Sequence, residues 1–181
     1  MRYLSLILLL LFVNINAKST EQLVQDFKQK KYDSVCKDGL RDFRAGRQDE
    51  NFLALVGTAC ANADYINPLG SIQAKLVLTR EARETSAYFS ELILEKNLIF
   101  YFMLDDASLA HLQLPHSSHI LSFVFEHLGS GKFVYISKNP KMIKIDDGTR
   151  SILVSMSDDT ARRLCIDEYN GATLLMRHGY Q

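Results

Sequence analysis

The hydrophobic pattern changes its period once along the chain, and this change most limits what the chain can fold into. Before the linker Gly129-Ser130-Gly131 the apolar residues recur at intervals of three and four, whereas after it they form short alternating runs. A period of 3.6 residues is typical of helices that bury one face, and a period of 2 is typical of strands. We therefore expect an α+β protein, with a helical domain over 18–129 and an antiparallel β subdomain over 132–181.

Helical periodicity and capping residues predict a stack of helices before the linker. Gly46 and Asp49 are typical of a helix stop and a helix N-cap, so the segments on either side of Gln48 should form an antiparallel hairpin. The predicted helices cover 21–30, 32–45, 50–63, 68–79, 80–104, a short segment that ends at His111, and 115–129.

One stretch of the helical region resembles the tetratricopeptide repeat, a family of stacked helix pairs. The spacing Leu53-x2-Val56-Gly57-x2-Cys60, followed by Asp64, Ile66 and Leu69, is similar to the Trp-x2-Leu-Gly-x2-Tyr pattern that opens such a repeat. The resemblance covers about residues 19–83, with Cys60 in place of the aromatic residue and no proline at the closing position. It implies a tetratricopeptide-like helical hairpin stack and, by analogy, a protein-binding role.

Short runs with turn residues between them predict a meander after the linker. Asp147-Gly148 and Asn170-Gly171 are strong hairpin signals. The predicted strands cover 133–136, 142–145, 151–156, 163–166 and 173–176. A sheet of about 50 residues buries too little surface to fold alone, so we expect one of its faces to pack on the helices.

The segment from Met1 to Ala17 has the pattern of a secretory signal peptide. Arg2 precedes an apolar run from Tyr3 to Val13, and Ala17 supplies a small residue at the cleavage point. This run is much shorter than the stretch of about 20 residues that a helix needs to span a bilayer. We therefore expect cleavage after Ala17, a periplasmic or secreted location in a bacterium, and no transmembrane span in the mature chain.

Charge argues against a nucleic-acid partner. The chain carries 21 Lys and Arg against 21 Asp and Glu, and only residues 28–31 resemble a basic run. Binding to phosphates requires clustered cations. No sequence motif predicts a cofactor, because Gly129-Ser130-Gly131-Lys132 lacks the spacing of a phosphate-binding loop and follows a helix instead of a strand.

Export places the three cysteines where thiols can oxidise. Cys36 precedes Gln48 by the same number of positions as Cys60 follows it, so both should sit at the same height on the predicted hairpin. We expect a disulfide between them, and the alternative is a pair of buried thiols. Cys165, in a predicted strand, should be a buried and unreactive thiol.

The residues that could carry chemistry do not form a recognised motif. His116 and His119 are three apart and could share a helix face as metal ligands, but their position suits the exposed start of a helix better. The acidic pairs at 105–106, 146–147 and 158–159 lie where turns and caps favour Asp. Because no Gly-x-Ser-x-Gly elbow is present, we expect an exported, non-catalytic interaction or assembly protein. The alternative is an exported hydrolase or metal-binding enzyme that uses the His111–His127 region.

The segment 98–104 is apolar around its whole circumference, so it requires cover from more than one side. It is either plain core or a core with one exposed stripe. In the second case Tyr88, Phe89 and Tyr101 are the interaction-surface candidates. The partner would be a protein of the cell envelope or a second copy of the chain.

Overall fold

A computed structural model describes residues 18–181, where six helices precede one five-stranded antiparallel sheet, so the chain is an α+β protein. The predicted signal peptide, residues 1–17, lies outside the described residues. The helices are α1 Thr20–Lys28, α2 Tyr32–Arg44, α3 Glu50–Asn62, α4 Leu69–Gln73, α5 Arg80–Asp105 and α6 Ile120–Gly129. The strands are β1 Val134–Lys138, β2 Lys141–Asp146, β3 Ser151–Met156, β4 Leu164–Asn170 and β5 Thr173–Tyr180.

Side-chain caps fix where three of the helices begin. Ser19, Asp49 and Thr79 each accept a hydrogen bond from the backbone N–H three residues later, which satisfies one of the unpaired donors at a helix start. At the other end of α5, Asp106 adopts the left-handed conformation with φ 56° and ends the helix. These local signals explain why most predicted boundaries are close to the observed ones.

Three predicted helices differ from the structure. The short helix before His111 is absent from the described chain, and the last helix begins at Ile120 instead of residue 115. The His119 ring caps α6, because Nδ1 accepts from the Leu121 N–H at 3.2 Å. The loop over 106–119 stays irregular and packs Leu109, Leu112 and Leu114 against the core. The fourth helix is also shorter than predicted and ends at Gln73.

Helices α2 and α3 form the predicted hairpin, and a disulfide joins them. The Cα atoms of Cys36 and Cys60 are 4.7 Å apart, so the expected bridge is confirmed. Gly39 lets Val56 of α3 approach the backbone of α2, since a Cβ at this position would overlap the valine side chain. The hairpin is therefore held by a covalent bond and by close packing beside it.

The sheet has the order β1-β2-β3-β4-β5, so β1 and β5 are its two edges. The inner face of its central strands is buried, whereas the edge strands are mostly exposed. The buried apolar residues of the sheet are Ile143, Ile145, Ile152, Val154, Leu164, Ile166 and Tyr180. Each edge strand has one extra, unpaired residue at a bulge, Ile136 in β1 and Leu175 in β5.

The inner face of the sheet and the helices share one hydrophobic core. Polar contacts also join the two regions. The Lys96 ammonium of α5 donates to the backbone oxygen of Gln181 at 2.6 Å, and Lys141 of β2 donates to the Phe102 carbonyl at 2.7 Å.

Within residues 18–181, α5 is the longest helix but still too polar to cross a lipid bilayer, and none of the shorter ones could cross it either.

Candidate functional site

Helix α5 presents the three predicted interaction residues in three different environments. Phe89 is completely buried, which corrects its selection as a surface residue. Its ring lies against Gly57 of α3, where any Cβ would overlap it. Tyr88 is half-buried, and Tyr101 is 56% exposed. Only Tyr88 and Tyr101 can therefore contact another molecule without unfolding of the core.

Large apolar side chains are exposed at the C-terminal end of α5 and along β1. We name this set the α5–β1 surface. It consists of Tyr101, Leu104, Val134, Tyr135 and Ile136, each between 44% and 58% exposed. Exposed apolar residues scattered singly are ordinary, but a group of five on neighbouring elements is typical of a contact surface.

Aromatic contacts link the C-terminal end of α5 to β1. Phe102 of α5 packs edge-on against Phe133, whose ring packs edge-on against Tyr135 of β1, with both centroid distances 5.4 Å. Lysines form the rim of the surface: the Lys138 ammonium lies 5.7 Å from the Tyr135 ring centroid. In the described part of the chain neither Lys132 nor Lys138 forms an ion pair. The β1 side of the surface is therefore apolar with a basic rim.

A second site is a cleft of about 590 Å³ between the helices and β5, which we name the interface cleft. Tyr88 lies in its wall, so this candidate residue faces a cavity and not a flat surface. The charged and polar lining residues are Lys30, Tyr32, Asn62, Asp64, Ser118, His119, Arg150, Glu168 and His178.

His178 bridges two carboxylates in the interface cleft. Its Nδ1 lies 2.9 Å from Asp64 Oδ1, in the loop after α3, and its Nε2 lies 3.0 Å from Glu168 Oε1 of β4. Both ring nitrogens face acceptors, so only the imidazolium satisfies the arrangement. Burial alone would lower the pKa of His178, but the bonds and charges of Asp64 and Glu168 outweigh it, and the pKa is raised. The bridge is therefore a charged contact between the helical region and the sheet.

This bridge has two ring neighbours, the buried Tyr180 and the half-buried His119. The ring of Tyr180 stacks parallel on His178 at 6.3 Å, and its hydroxyl has no geometric hydrogen-bond partner among residues 18–181. His119 holds its Nε2 3.4 Å from the Ala61 carbonyl. Because Nδ1 of His119 accepts from Leu121, the proton of the neutral ring is on Nε2, and burial lowers the pKa of this histidine. The cleft thus pairs one charged histidine with one neutral histidine.

A third site is a cavity of about 660 Å³ beside α6, which we name the Glu95 cavity. Glu95 of α5 lines it and is completely buried. The Ser122 hydroxyl lies 2.7 Å from Glu95 Oε2 and 3.0 Å from Glu91 Oε1, and the Ser117 hydroxyl lies 2.8 Å from that of Ser122. The remaining lining residues are Ala110, Leu112, Gln113, Leu114, Pro115, His116, Phe125, Glu126, Gly129 and Ser130.

The hydroxyl of Ser122 has one proton and cannot donate to both carboxylates. Burial raises the pKa of Glu95 to about 8, against the opposing hydrogen bond from Ser122, and the nearby charge of Glu91 adds to the increase. A protonated Glu95 donates to Ser122, which then donates to Glu91. The second oxygen, Oε1, still has no partner within the described residues. Glu95, which lines the cavity, therefore has an unsatisfied acceptor.

The clustered histidines do not converge. His116 Nδ1 lies 3.5 Å from Glu126, His119 caps α6, and His127 Nδ1 lies 2.8 Å from the Phe123 carbonyl. Since α6 begins at Ile120, His116 and His119 do not share a helix face. Among residues 18–181 there is no group of three His, Cys, Asp or Glu side chains arranged to hold a metal ion.

The acidic pairs and the third cysteine are structural. Asp147 accepts from the N–H groups of Thr149 and Arg150, and Asp159 accepts from that of Ala161, so these pairs form turns as predicted. Cys165 is half-buried on the outer face of β4, which corrects the expectation of a buried thiol. Burial still raises the pKa of this thiol, so it is not a reactive thiolate at neutral pH.

Sequence reasoning missed the groups that define the interface cleft and the Glu95 cavity. Asp64 and His178 are 114 positions apart and no motif joins them. Glu95 could have been found, because it interrupts the apolar positions Leu92, Ile99 and Phe102 at core spacings of three, four and three. A carboxylate at such a position indicates a buried functional or structural group.

The chain matches no protein-family model, no curated protein and no solved structure.

Proposed function

We propose that the mature chain is an exported, non-catalytic interaction or assembly protein of the bacterial envelope, and that it binds a protein partner through the α5–β1 surface. The observation that carries this proposal is the group of five exposed apolar side chains on two neighbouring elements, with Tyr101 among them. A partner that covered them would remove apolar surface from water, which stabilises a complex by about 25 cal/mol per Å² before the costs of association.

The rim of the surface specifies the chemistry of the partner. Lys132 and Lys138 lie beside the exposed residues of β1, without an ion pair in the described chain. A partner segment with apolar residues and flanking Asp or Glu would complement both features. We therefore propose an apolar, acidic-flanked segment of another envelope protein as the ligand.

Two further observations support export and binding. The disulfide Cys36–Cys60 is compatible with an oxidising compartment outside the cytoplasm. The predicted signal peptide favours a location in the periplasm or outside the cell, and the tetratricopeptide resemblance predicts a protein-binding helix stack. The location outside the cytoplasm and the protein-binding role are therefore both parts of this proposal.

The geometry gives the catalytic alternative no support. Both nitrogens of His178 already face carboxylates, so this histidine has no free nitrogen with which to activate a nucleophile. The two candidate histidines line different cavities: His116 lines the Glu95 cavity and His119 lines the interface cleft.

A photo-crosslinking experiment tests the proposed surface. Benzoylphenylalanine replaces Tyr101 in the full chain, expressed in an exporting bacterium, and the matched control replaces Tyr65, which is 40% exposed and lies in the loop after α3. We expect an adduct with another envelope protein from position 101 but not from position 65. The captured protein is then purified, and its affinity for the chain is measured by calorimetry.

Variants of the two edge strands provide the control for specificity. Ile136→Lys on β1 should weaken the complex at least tenfold, whereas Leu175→Lys on β5 should leave the affinity unchanged, because both residues are exposed bulge residues but only Ile136 lies on the α5–β1 surface. An adduct between two copies of the chain would show that the surface mediates self-association and does not bind another envelope protein. Equal losses in both variants, or no adduct at position 101, would refute the surface.

A further inference from the structure

We propose that the Glu95 cavity is a binding site for an alkylammonium group, with the ammonium at Glu95 and the hydrocarbon along the apolar wall. This inference is independent of the α5–β1 surface. It would add a small-molecule or lysine-recognition site to a chain that no sequence motif identifies as a ligand-binding protein.

The first argument is the unsatisfied acceptor. Glu95 is completely buried, yet Oε1 has no hydrogen-bond partner in residues 18–181. A buried polar atom without a partner has lost its water without compensation, so native proteins seldom retain one without a reason. Glu95 is one of the residues that line the cavity, and a ligand there that donates a proton from nitrogen would satisfy this oxygen.

The second argument is charge. The ionisable groups along the wall are Glu95, Glu126 and His116, and among the described lining residues there is no Lys or Arg. The second carboxylate, Glu91, is one hydroxyl group away through Ser122. A cation is therefore favoured over a neutral donor, because it would face one carboxylate directly and a second one nearby.

The third argument is the shape and polarity of the wall. Leu112, Leu114, Pro115 and Phe125 supply an apolar lining beside the carboxyl group. The volume, about 660 Å³, is within the range of about 300–1,000 Å³ typical of small-molecule sites. A ligand with a short hydrocarbon chain and one terminal ammonium matches both the apolar and the acidic part of the cavity.

Protonation of Glu95 links binding to pH. The carboxyl group contacts Ser122, which in turn contacts Ser117. Glu91 and Tyr88 are the nearby titratable groups on its own helix, and His116 and Glu126 line the cavity. Because burial raises the pKa of Glu95 to about 8, an ammonium must displace the proton at neutral pH, whereas the ligand itself stays charged up to about pH 10. Apparent affinity should therefore increase about tenfold between pH 7 and pH 9.

Calorimetry with hexylammonium chloride tests the site in the chain from residue 18 to 181. We expect saturable 1:1 binding that releases a proton at pH 7, measured as a dependence of the heat on the ionisation enthalpy of the buffer. Hexanol and hexanoate, with the same hydrocarbon, should bind at least tenfold more weakly. Nα-acetyl-lysine methylamide distinguishes the source of the group: if it binds more tightly than hexylammonium, the natural ligand is a lysine of a partner protein.

Two variants test whether Glu95 itself binds the ammonium group. Glu95→Gln is nearly isosteric with the protonated acid, so the fold should persist by circular dichroism, while the affinity for hexylammonium falls at least tenfold and its pH dependence disappears. Glu81→Gln, at an exposed position in the first turn of the same helix and outside the cavity lining, should change the affinity less than threefold. Independently of any variant, carboxyl ¹³C shifts of the wild type should show the pKa of Glu95 fall when hexylammonium is added. Equal binding of hexanol, or an unchanged pKa, would overturn the proposal.

Discussion

The helical region and the sheet are stabilised by different means. Helices α2 and α3 are joined by the disulfide Cys36–Cys60. The ring of Phe89 of α5 packs so closely against Gly57 of α3 that a Cβ there would overlap it. The sheet is covered on its inner face only, and its contacts with the helices include polar ones at His178, Lys96 and Lys141. The comparison teaches that the helices can serve as a fixed platform, whereas the position of the sheet depends on an interface that pH and substitution can weaken.

Replacement of Phe89 by Ala should have the largest effect. The ring is completely buried between α5 and α3, and a Phe to Ala change in a core costs about 3–5 kcal/mol. Urea denaturation followed by circular dichroism measures the loss. Tyr101→Ala on the exposed side of the same helix is the control and should cost less than about 0.5 kcal/mol. Similar losses in both variants would show that α5 has no exposed side.

Removal of the disulfide should have the next largest effect and should act first on the helices. The bridge spans 24 positions, and closure of a loop of this size stabilises by roughly 3 kcal/mol in the chain-entropy model. The measurement is the melting temperature with and without reductant, with Cys165→Ser as a control that keeps the bridge. If the protein is fully reduced, as verified by mass, and its melting temperature is unchanged, the disulfide does not stabilise the helical region.

Hydrogen exchange sharpens the same experiment. If the disulfide stabilises the helices more than the sheet, partial reduction should lower the protection of amides in α2 and α3 before that of amides in β3 and β4. Simultaneous loss in all four elements would mean that the sheet depends on the disulfide as strongly as the helices do.

The His178 bridge should contribute in a pH-dependent manner. The pKa of His178 is raised in the folded state, so its contribution is complete below the unfolded pKa of about 6.5 and is lost as pH rises through the folded pKa. We expect His178→Gln to lower the free energy of unfolding by about 2 kcal/mol at pH 6 and by less at pH 9. Arg177→Gln, which breaks the Arg177–Asp167 pair on the outer face, should show no such pH dependence over this range. A difference for His178→Gln that stays constant from pH 6 to pH 9 would contradict a charged bridge.

Charged substitutions at the two bulges should have the smallest effect on the isolated chain. Ile136 and Leu175 are 56% and 60% exposed, and exposed substitutions usually change stability by less than about 0.5 kcal/mol. Denaturant titration of Ile136→Lys and Leu175→Lys measures the change. A loss as large as that of Phe89→Ala would show that the edge strands belong to the core, and the comparison between a closed helical region and an open sheet would fail.

Local patterns were sufficient for most of the fold. The capped starts at Ser19, Asp49 and Thr79 and the turn at Asp147-Gly148 are all formed by residues close to one another in the chain. For this reason the helices and the strands could be predicted, as could the equal height of Cys36 and Cys60 on the hairpin. The segment 106–119 could not, because its apolar residues pack on distant core residues that override a weak helical pattern.

The sequence by itself determined the division into helices and strands, the α2–α3 hairpin and the disulfide within it, because period, caps and equal distances from a turn are local quantities. Only the tertiary structure decided that Phe89 points inward while Tyr101 points outward, that Asp64 meets His178, and that Glu95 lines a cavity. The physical reason is that each of these results depends on which surface of a helix another element covers. Which surfaces are covered depends on the packing of the whole chain, so it cannot be predicted from a short segment of the sequence.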